Sequence, residues 1–198
     1  MKKLFFFFFV LVLGCAPAVK LVPLEDGLKV DKEKLTSIYE DKDVQILVKT
    51  HAWKYSPSDL PYYVLPIYLE VKNLSTKSLY IERQGVHLID DENRQYNPIP
   101  PGDVSSMLGS NVRFSFGIAY YSYPYWFGYY PYYPYYPPTY PDIVNNAFLF
   151  GTVEPGAILK GFVYFQKPTN YQKKLILRVE YRIDNETKKV SFPFEVQR

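Results

Sequence analysis

Apolar and polar residues alternate one by one in five stretches of the chain. On one side of each alternation stand mostly Val, Ile, Leu, Phe or Tyr, and on the other mostly charged or polar residues. Aliphatic and aromatic residues that recur with a period of two are typical of strands that bury one face. The pattern therefore predicts five half-buried strands. Their inward positions are Val44, Ile46 and Val48; Ile67, Leu69 and Val71; Leu79 and Ile81; Leu175, Leu177, Val179 and Tyr181; and Val190, Phe192, Phe194 and Val196.

Turn-forming residues separate these stretches. Residues 73–77 and 90–93 each predict a turn between two strands, and Glu154-Pro155-Gly156 predicts a turn before a further strand. The run Asp184-Asn185-Glu186 predicts that the last two strands form a hairpin. Pro193 faces outward in the last strand, and because proline has no N–H to donate, it predicts an edge strand.

The pattern as a whole indicates an all-β fold. We count seven or eight strands and find no stretch with the spacing of a convincing amphipathic helix. Antiparallel strands joined by short turns each bury one face, and two sheets packed face to face achieve this in a chain of this size. We therefore expect an immunoglobulin-like antiparallel β-sandwich. The chain has one cysteine, so no internal disulfide can brace the sandwich.

The N-terminus has the layout of a signal peptide. Lys2 and Lys3 precede ten apolar residues, 4–13, which are too few to span a bilayer. The run Val12-Leu13-Gly14-Cys15 resembles the lipobox of bacterial lipoproteins. That resemblance implies cleavage before Cys15, a diacylglycerol on its sulfur and acylation of the new N-terminus. An ordinary signal peptide with an incidental cysteine is the alternative interpretation.

The lipobox also divides the chain into parts. Residues 1–14 are the predicted signal peptide, 15–35 the lipidated N-terminus and a tether, and 36–198 the β-sandwich domain. Prolines, a glycine and mixed charges predict the tether, although part of it can instead pair as a first strand. In outer-membrane bacteria, lipoproteins with aspartate after the cysteine tend to stay in the inner membrane. Ala16 occupies that position here, which favours the outer membrane.

A tyrosine- and proline-rich insertion occupies residues 119–141. Eleven of its 23 residues are tyrosine and six are proline, and Tyr-Tyr-Pro occurs three times in succession over 129–137. A repeat of three matches the three residues per turn of polyproline II, in which the tyrosines form ridges. The candidate binding ridge consists of Tyr125, Trp126, Tyr129, Tyr130, Tyr132, Tyr133, Tyr135 and Tyr136.

Three interpretations of the insertion are open. It can be a low-complexity loop that folds loosely over the sandwich, as many proline-rich segments do. It can bind a protein, because tyrosine offers a large amphipathic surface at a low cost in conformational entropy. It can also bind a cell-wall glycan, because flat aromatic faces suit sugar rings.

Motifs outside the insertion resemble those of immunoglobulin-like extracytoplasmic domains in bacterial lipoproteins. The similarity covers about 36–118 and 143–198, and it implies a fold and an extracytoplasmic setting but no catalytic residues. The motifs are the strand end Val71-Lys72-Asn73, the acidic turn Asp90-Asp91, Pro155-Gly156 before Gly161-Phe162-Val163-Tyr164-Phe165, and a closing hairpin.

Residues suited to catalysis or metal binding are sparse. His51 and His87 are the only histidines, and neither has the spacing of a metal ligand. Asp90-Asp91-Glu92 offers carboxylates for calcium but lacks the alternating spacing of a calcium loop, so we favour a solvated hairpin turn. Neither a Gly-x-Ser-x-Gly motif nor a glycine-rich phosphate loop is present. We therefore expect no catalytic residues, no metal and no cofactor.

Charge narrows the possible partners. Loss of Lys2 and Lys3 with the signal peptide reduces the 23 basic side chains to 21, against 20 acidic ones. Such a balance provides no overall basic field to attract nucleic acid or anionic lipid. We expect a lipid-anchored envelope protein that acts as a non-catalytic structural or protein-interaction module. Its expected partners are the membrane, through the lipid, and an envelope protein, with carbohydrate binding as the alternative function.

Overall fold

The structure is a computed structural model that describes residues 19–108, 140–168 and 172–197. These residues form twelve strands in two antiparallel sheets. In chain order the strands are β1 (Lys20–Pro23), β2 (Lys29–Asp31), β3 (Thr36–Glu40), β4 (Val44–Lys49), β5 (Val64–Asn73), β6 (Leu79–Ile81), β7 (Val86–Asp90), β8 (Gln95–Tyr96), β9 (Gly151–Val153), β10 (Ile158–Gln166), β11 (Lys174–Ile183) and β12 (Glu186–Gln197).

The two sheets form a sandwich. In the seven-stranded sheet, one edge of β11 pairs with β12, and β1 pairs with β12 beyond it. The other edge of β11 pairs with β7 along one part of its length and with β6 along another. β8 pairs with β7, and β9 pairs with β6. The five-stranded sheet has the order β10-β5-β4-β3-β2. This arrangement confirms the predicted all-β antiparallel sandwich, while the immunoglobulin-like classification stays a prediction.

The main hydrophobic core lies between the two sheets. Val44, Ile46 and Val48 of β4 are fully buried, and the intervening residues are partly exposed, as the alternation predicts. The inward positions of β5, β6, β11 and β12 are buried in the same core, except that Val196 at the end of β12 is only partly buried. Burial of this apolar surface is the main stabilising contribution to the fold.

The sandwich begins before residue 36, the predicted boundary. Both β1 and β2 lie within the segment 15–35 that was predicted to be a tether. Leu21 of β1 is fully buried, and its carbonyl accepts a hydrogen bond of 2.8 Å from the hydroxyl of Thr50. Part of this segment therefore pairs as a first strand, in which Leu21 joins the main core and Pro23 is also buried.

Pro193 does not mark an edge strand as predicted, because β12 has partners on both sides. β11 pairs with β12 along its length, and β1 pairs with it from Phe194 to Gln197. The carbonyl of Pro193 accepts a hydrogen bond of 2.9 Å from the N–H of Leu24, at the place where β1 ends. Only residues 186–192 lack a described partner strand on the β1 side. Pro193, which has no N–H to donate, thus lies next to Phe194, where the pairing of β12 with β1 ends.

Three short α-helices occur among the described residues, although no convincing helix was predicted. They are α1 (Leu60–Tyr63), the described helical residues 101–108, termed α2, and α3 (Pro141–Asn145). Each has a proline in its first turn, where the fixed φ suits a helix and the missing N–H costs nothing. Two of them have only four or five residues, too few for an amphipathic period to be visible in the sequence.

Candidate functional site

A second hydrophobic cluster covers the outer face of the five-stranded sheet. Val163 and Phe165 of β10 point into the main core, whereas Phe162 and Tyr164 point to the opposite face. The three helices pack on that face. The buried members of this second core are Leu60, Val64, Val104, Leu108, Ile143, Ala147, Phe162 and Tyr164.

Aromatic rings fill much of the second core and meet edge to face. The ring of Trp53 lies 5.0 Å from that of Phe162 at 77°, and 5.3 Å from that of Tyr55 at 66°. Tyr68 packs on Phe162 from another side, at 5.5 Å. Such pairs each contribute about 0.5–1.5 kcal/mol beyond their buried area. The indole N–H of Trp53 donates to the carbonyl of Pro57 at 2.8 Å, which fixes the orientation of the ring.

The phenol of Tyr68 stands at the border of this cluster. It donates a hydrogen bond of 3.0 Å to the carboxylate of Glu70. Burial, together with that negatively charged acceptor, raises the pKa of Tyr68 to about 12. The phenol therefore keeps its proton at neutral pH and acts as a hydrogen-bond donor.

The second core holds the chain on both sides of the tyrosine- and proline-rich insertion. Before the insertion, Val104 and Leu108 of α2 are buried in it. After the insertion, Tyr140 packs against it and Ile143 of α3 is fully buried. The hydroxyl of Tyr164 donates a hydrogen bond of 2.8 Å to the carbonyl of Ile143. Both flanks of the insertion are thus fixed to one face of the sandwich.

The chain that follows α3 passes very close to β10. The N–H of Phe162 donates to the carbonyl of Asn146 at 2.7 Å, and the N–H of Phe148 donates to the carbonyl of Phe162 at 2.9 Å. A Cβ at Gly161 would lie 2.5 Å from the nitrogen of Phe148 and 2.6 Å from the carbonyl oxygen of Ala147. Glycine is required at position 161 because a side chain would meet backbone there.

The helices that cover the second core present apolar side chains to solvent. Tyr62 and Tyr63 of α1 are 55% and 45% exposed, Met107 of α2 is 47% exposed, and Val144 of α3 is 51% exposed. Single exposed apolar residues are ordinary, but these belong to three helices packed on one cluster. This helical layer is therefore the candidate interaction surface.

The first described residue lies beside α1. The carbonyl oxygen of Val19 is 3.0 Å from Nε2 of His51, so that the imidazole donates to it in the tautomer that carries the Nε2 proton. Val19 lines a cavity of about 70 Å³ together with Trp53, Pro61 and Lys167. The chain therefore enters the sandwich next to the helical layer.

Asp90, the last residue of β7, is a buried hydrogen-bond centre next to the acidic turn. The side chain of Asp90 has 0% exposure. Its Oδ2 accepts from Arg94 Nε at 2.7 Å and from the Tyr96 hydroxyl and Gln172 Nε2 at 2.8 Å. Its Oδ1 accepts the backbone N–H groups of Glu92 and Arg94, both at 2.9 Å. The hairpin turn itself is solvent-exposed as favoured, since Asp91 and Glu92 are exposed between β7 and β8. Only Asp90, at the end of β7, is buried, because its neighbours donate to both of its oxygens.

These hydrogen bonds keep Asp90 ionised. Burial alone would raise the pKa of its carboxyl group, but the donors outweigh burial, with Arg94 first, and hold the pKa well below its usual range. Both oxygens are saturated by N–H and O–H donors, so they are poorly placed to bind a cation or to transfer a proton.

A second carboxylate cluster joins the two sheets at the opposite end of the sandwich. Asp41, in the turn between β3 and β4, accepts hydrogen bonds from the hydroxyls of Tyr39 at 3.2 Å and Tyr181 at 3.4 Å. Asp43 in the same turn lies 2.7 Å from the ammonium of Lys188 in β12. Burial raises the pKa of Tyr181, so its hydroxyl remains a donor. The cluster has a structural explanation as a link between sheets.

The residues predicted to form sites lie outside the described part of the chain. This is true of Cys15 and of the whole candidate ridge, Tyr125, Trp126, Tyr129, Tyr130, Tyr132, Tyr133, Tyr135 and Tyr136. The predicted insertion 119–141 overlaps the fold at its end, because Tyr140 packs on the second core and Pro141 begins α3.

Sequence reasoning missed the second core. Its signal is the uninterrupted apolar run Phe162-Val163-Tyr164-Phe165, in which both faces of β10 are buried. A strand without alternation indicates cover on both sides. Among the described residues, no group of three or more His, Cys, Asp or Glu side chains is arranged to hold a metal ion, and no helix is long and apolar enough to cross a bilayer.

Comparison with known proteins gives little further information. No protein-family model matches this chain, and no curated protein matches it. Among solved structures, the yjhA protein from Bacillus subtilis aligns with 71% of this chain and 76% of its own, at 13% identity and a TM-score of 0.37. A similarity at this level carries no argument about fold or function.

Proposed function

We propose that this protein is a lipid-anchored envelope protein that acts by non-catalytic contact. In this proposal Cys15 carries the lipid, and the sandwich presents the tyrosine- and proline-rich insertion to a protein partner in the envelope. The outer membrane is the proposed location, because Ala16 follows the cysteine.

The observation that carries the proposal is the attachment of both flanks of the insertion to the second core. Leu108 precedes the insertion and Ile143 follows it, and both are buried in the same cluster. The chain therefore leaves the described fold at Leu108 and rejoins it at Tyr140 on the same face of the sandwich. Tyrosine-rich segments held in this way by a β-scaffold are suited to recognition.

The helical layer gives the proposal a second support. Met107 of α2 and Val144 of α3 expose apolar surface on the two helices that flank the insertion. Aromatic residues and methionine are enriched in the centres of protein interfaces. A partner that contacts the insertion would therefore find further apolar surface next to it.

The test is a replacement that leaves the flanks in place. Residues 119–139 are exchanged for a Gly/Ser segment of equal length, which spares Tyr140 and α3. We expect the variant to fold with an unchanged denaturation midpoint and to lose the envelope proteins that crosslink to the natural protein in intact cells. Retention of every crosslinked partner would contradict the proposed role of the insertion.

Lipidation is tested separately by mass spectrometry of the protein isolated from membranes. We expect a mature N-terminus at Cys15 that carries diacylglycerol and a further acyl chain. Two or three acyl chains give stable anchoring, whereas a single chain holds only marginally. Carbohydrate binding remains the alternative for the ridge, and it predicts pelleting of the natural protein, but not of the Gly/Ser variant, with isolated sacculi.

A further inference from the structure

The short chain between Cys15 and Val19 limits where a membrane can lie. We propose that the end of the sandwich that carries Val19, Trp53 and α1 lies against the lipid headgroups, with Tyr62 and Tyr63 at the membrane interface. This inference rests on the proposed lipidation of Cys15, and it adds an orientation that lipidation alone does not specify.

The first step is a limit on distance. Cys15 and Val19 are four residues apart, and four residues span at most about 14 Å even when fully extended. A lipid on Cys15 therefore holds Val19 within about 14 Å of the cysteine, whatever conformation the intervening residues adopt. A long tether would have allowed any face of the domain to approach the membrane, but this one does not.

The second step concerns what surrounds Val19. Its carbonyl contacts His51, and Trp53, Pro61 and Lys167 line the same small cavity. Pro61 belongs to α1, whose next two residues are Tyr62 and Tyr63. The exposed tyrosines thus follow directly in sequence from a residue that lines a cavity with Val19.

The third step concerns chemistry. Tyrosine and tryptophan are enriched at membrane–water interfaces, where the ring lies among the headgroups and the polar group reaches water. Lysine places its alkyl stem along such a surface and its ammonium near phosphate. Lys20 and Lys54 are exposed and Lys167 partly exposed on this end, and within the described residues none of the three has a carboxylate within 4.0 Å. Acidic side chains are also present at this end: Asp59 just before α1, and the exposed Asp91 and Glu92 after β7. β7 ends at this end of the sandwich, since Asp90 pairs with Leu175 near the place where Lys20 pairs with Gln197.

Leu74 lies at the opposite end of the sandwich. β5 begins directly after Tyr63 and ends directly before Leu74, so its ten residues place these two side chains about 30 Å apart. The turn with Asp41 and Asp43 is also at the Leu74 end, since Val44 pairs with Asn73. This end therefore faces away from the membrane in the proposed orientation.

The experiment compares two single cysteines at these positions. Acylation would occupy the one natural thiol, so Tyr63→Cys and Leu74→Cys each introduce the only free thiol of the lipidated protein. Each variant is purified from membranes, labelled with a fluorophore and reconstituted in vesicles of phosphatidylethanolamine and phosphatidylglycerol that contain a nitroxide-headgroup lipid. Lys54→Cys, on the exposed loop before α1, is a second membrane-side variant in case Tyr63→Cys folds poorly.

We expect several-fold stronger quenching of the labels at positions 63 and 54 than of the label at position 74. Equal quenching, or stronger quenching at 74, would overturn the proposed orientation. Mass spectrometry of the same samples separates the two proposals. If Cys15 is lipidated and quenching is equal, only the proposed orientation is wrong. If Cys15 is unmodified, nothing attaches the N-terminus to the membrane, and both proposals fail.

Discussion

The side-chain amide of Asn73 donates a hydrogen bond of 2.8 Å to the carbonyl of Val153, which lies eighty positions further along the chain. Asn73 ends β5, where the chain leaves the five-stranded sheet, and Val153 ends β9, where the chain returns to it. The same amide donates to the carbonyl of Lys77 at 2.7 Å, and its oxygen accepts the N–H of Ser75 at 3.0 Å. One buried side chain thus links two of the places where the chain crosses between the sheets.

Replacement of Asn73 by alanine should destabilise the whole sandwich. The variant loses two hydrogen bonds donated by a buried amide, and we expect the free energy of unfolding to fall by about 1–3 kcal/mol. Urea denaturation followed by circular dichroism measures this. Asn185→Ala, in the exposed turn between β11 and β12, is the matched control and should change stability by less than about 0.5 kcal/mol. Equal effects of the two variants would argue against the role of Asn73.

Asp90 should make stability depend on pH in the acidic range. The folded-state pKa of its carboxyl is lowered, so the group stabilises the fold above the unfolded pKa of about 3.9. That contribution should be lost progressively as the pH falls below about 4 towards the folded value. Asp90→Asn should be less stable at pH 7 by about 3 kcal/mol, because Arg94 loses a buried ionic partner.

The variant should also lose part of the acid dependence. Denaturation midpoints measured from pH 7 to pH 2 should fall more steeply for the natural protein than for Asp90→Asn. Asp26→Asn, at an exposed carboxylate without a described hydrogen bond, should behave like the natural protein. Parallel curves for all three proteins would show that the Asp90 hydrogen bonds do not set the acid response.

Gly161→Ala should displace the chain that follows α3. The new Cβ would lie within 2.6 Å of the backbone of Ala147 and Phe148, and only movement of one of the two segments can relieve that contact. We expect a loss of about 1–3 kcal/mol. Gly102→Ala is the control, since its Cβ would meet no atom within 4 Å. A thermal unfolding temperature that is unchanged in Gly161→Ala would contradict the close approach.

Tyr164→Phe should loosen the second core while it leaves the main core intact. The variant removes the hydrogen bond to the carbonyl of Ile143, at a cost of about 0.5–1.5 kcal/mol. Hydrogen exchange should become faster in α3 and in residues 146–148, whereas the amides of β4 should keep their protection. Faster exchange throughout both sheets would mean that the second core and the main core unfold as one unit.

The sandwich could be predicted from the sequence because most of its strands bury only one face. The alternation predicts that Val44, Ile46 and Val48 point inward, and all three are buried in the main core. β10 was harder to interpret, because Phe162 and Tyr164 are as buried as Val163 and Phe165. Its second face is covered by residues far away in sequence, and no local pattern says which ones.

The carboxylates show a different limit of prediction from the sequence. Asp90-Asp91-Glu92 has the composition of a solvated turn, and its first residue is buried only because Gln172 and Tyr96 approach it in the folded chain. The start of the sandwich was misplaced because β1 and β2 are only four and three residues long, with a proline and charged residues among them. The predictions for Cys15 and for the ridge stay predictions, since these residues lie outside the described ranges.

The position of β1 determines how the domain would bear a mechanical load. If lipid holds Cys15 and a partner pulls on the sandwich, the tension enters through Val19 and passes along the axis of β1. It is then resisted by the pairing of Lys20–Pro23 with β12 and by the buried side chain of Leu21. Strands pulled lengthwise share the strain among several hydrogen bonds at once, so the attachment of the first strand would set the force at which the domain detaches from its anchor.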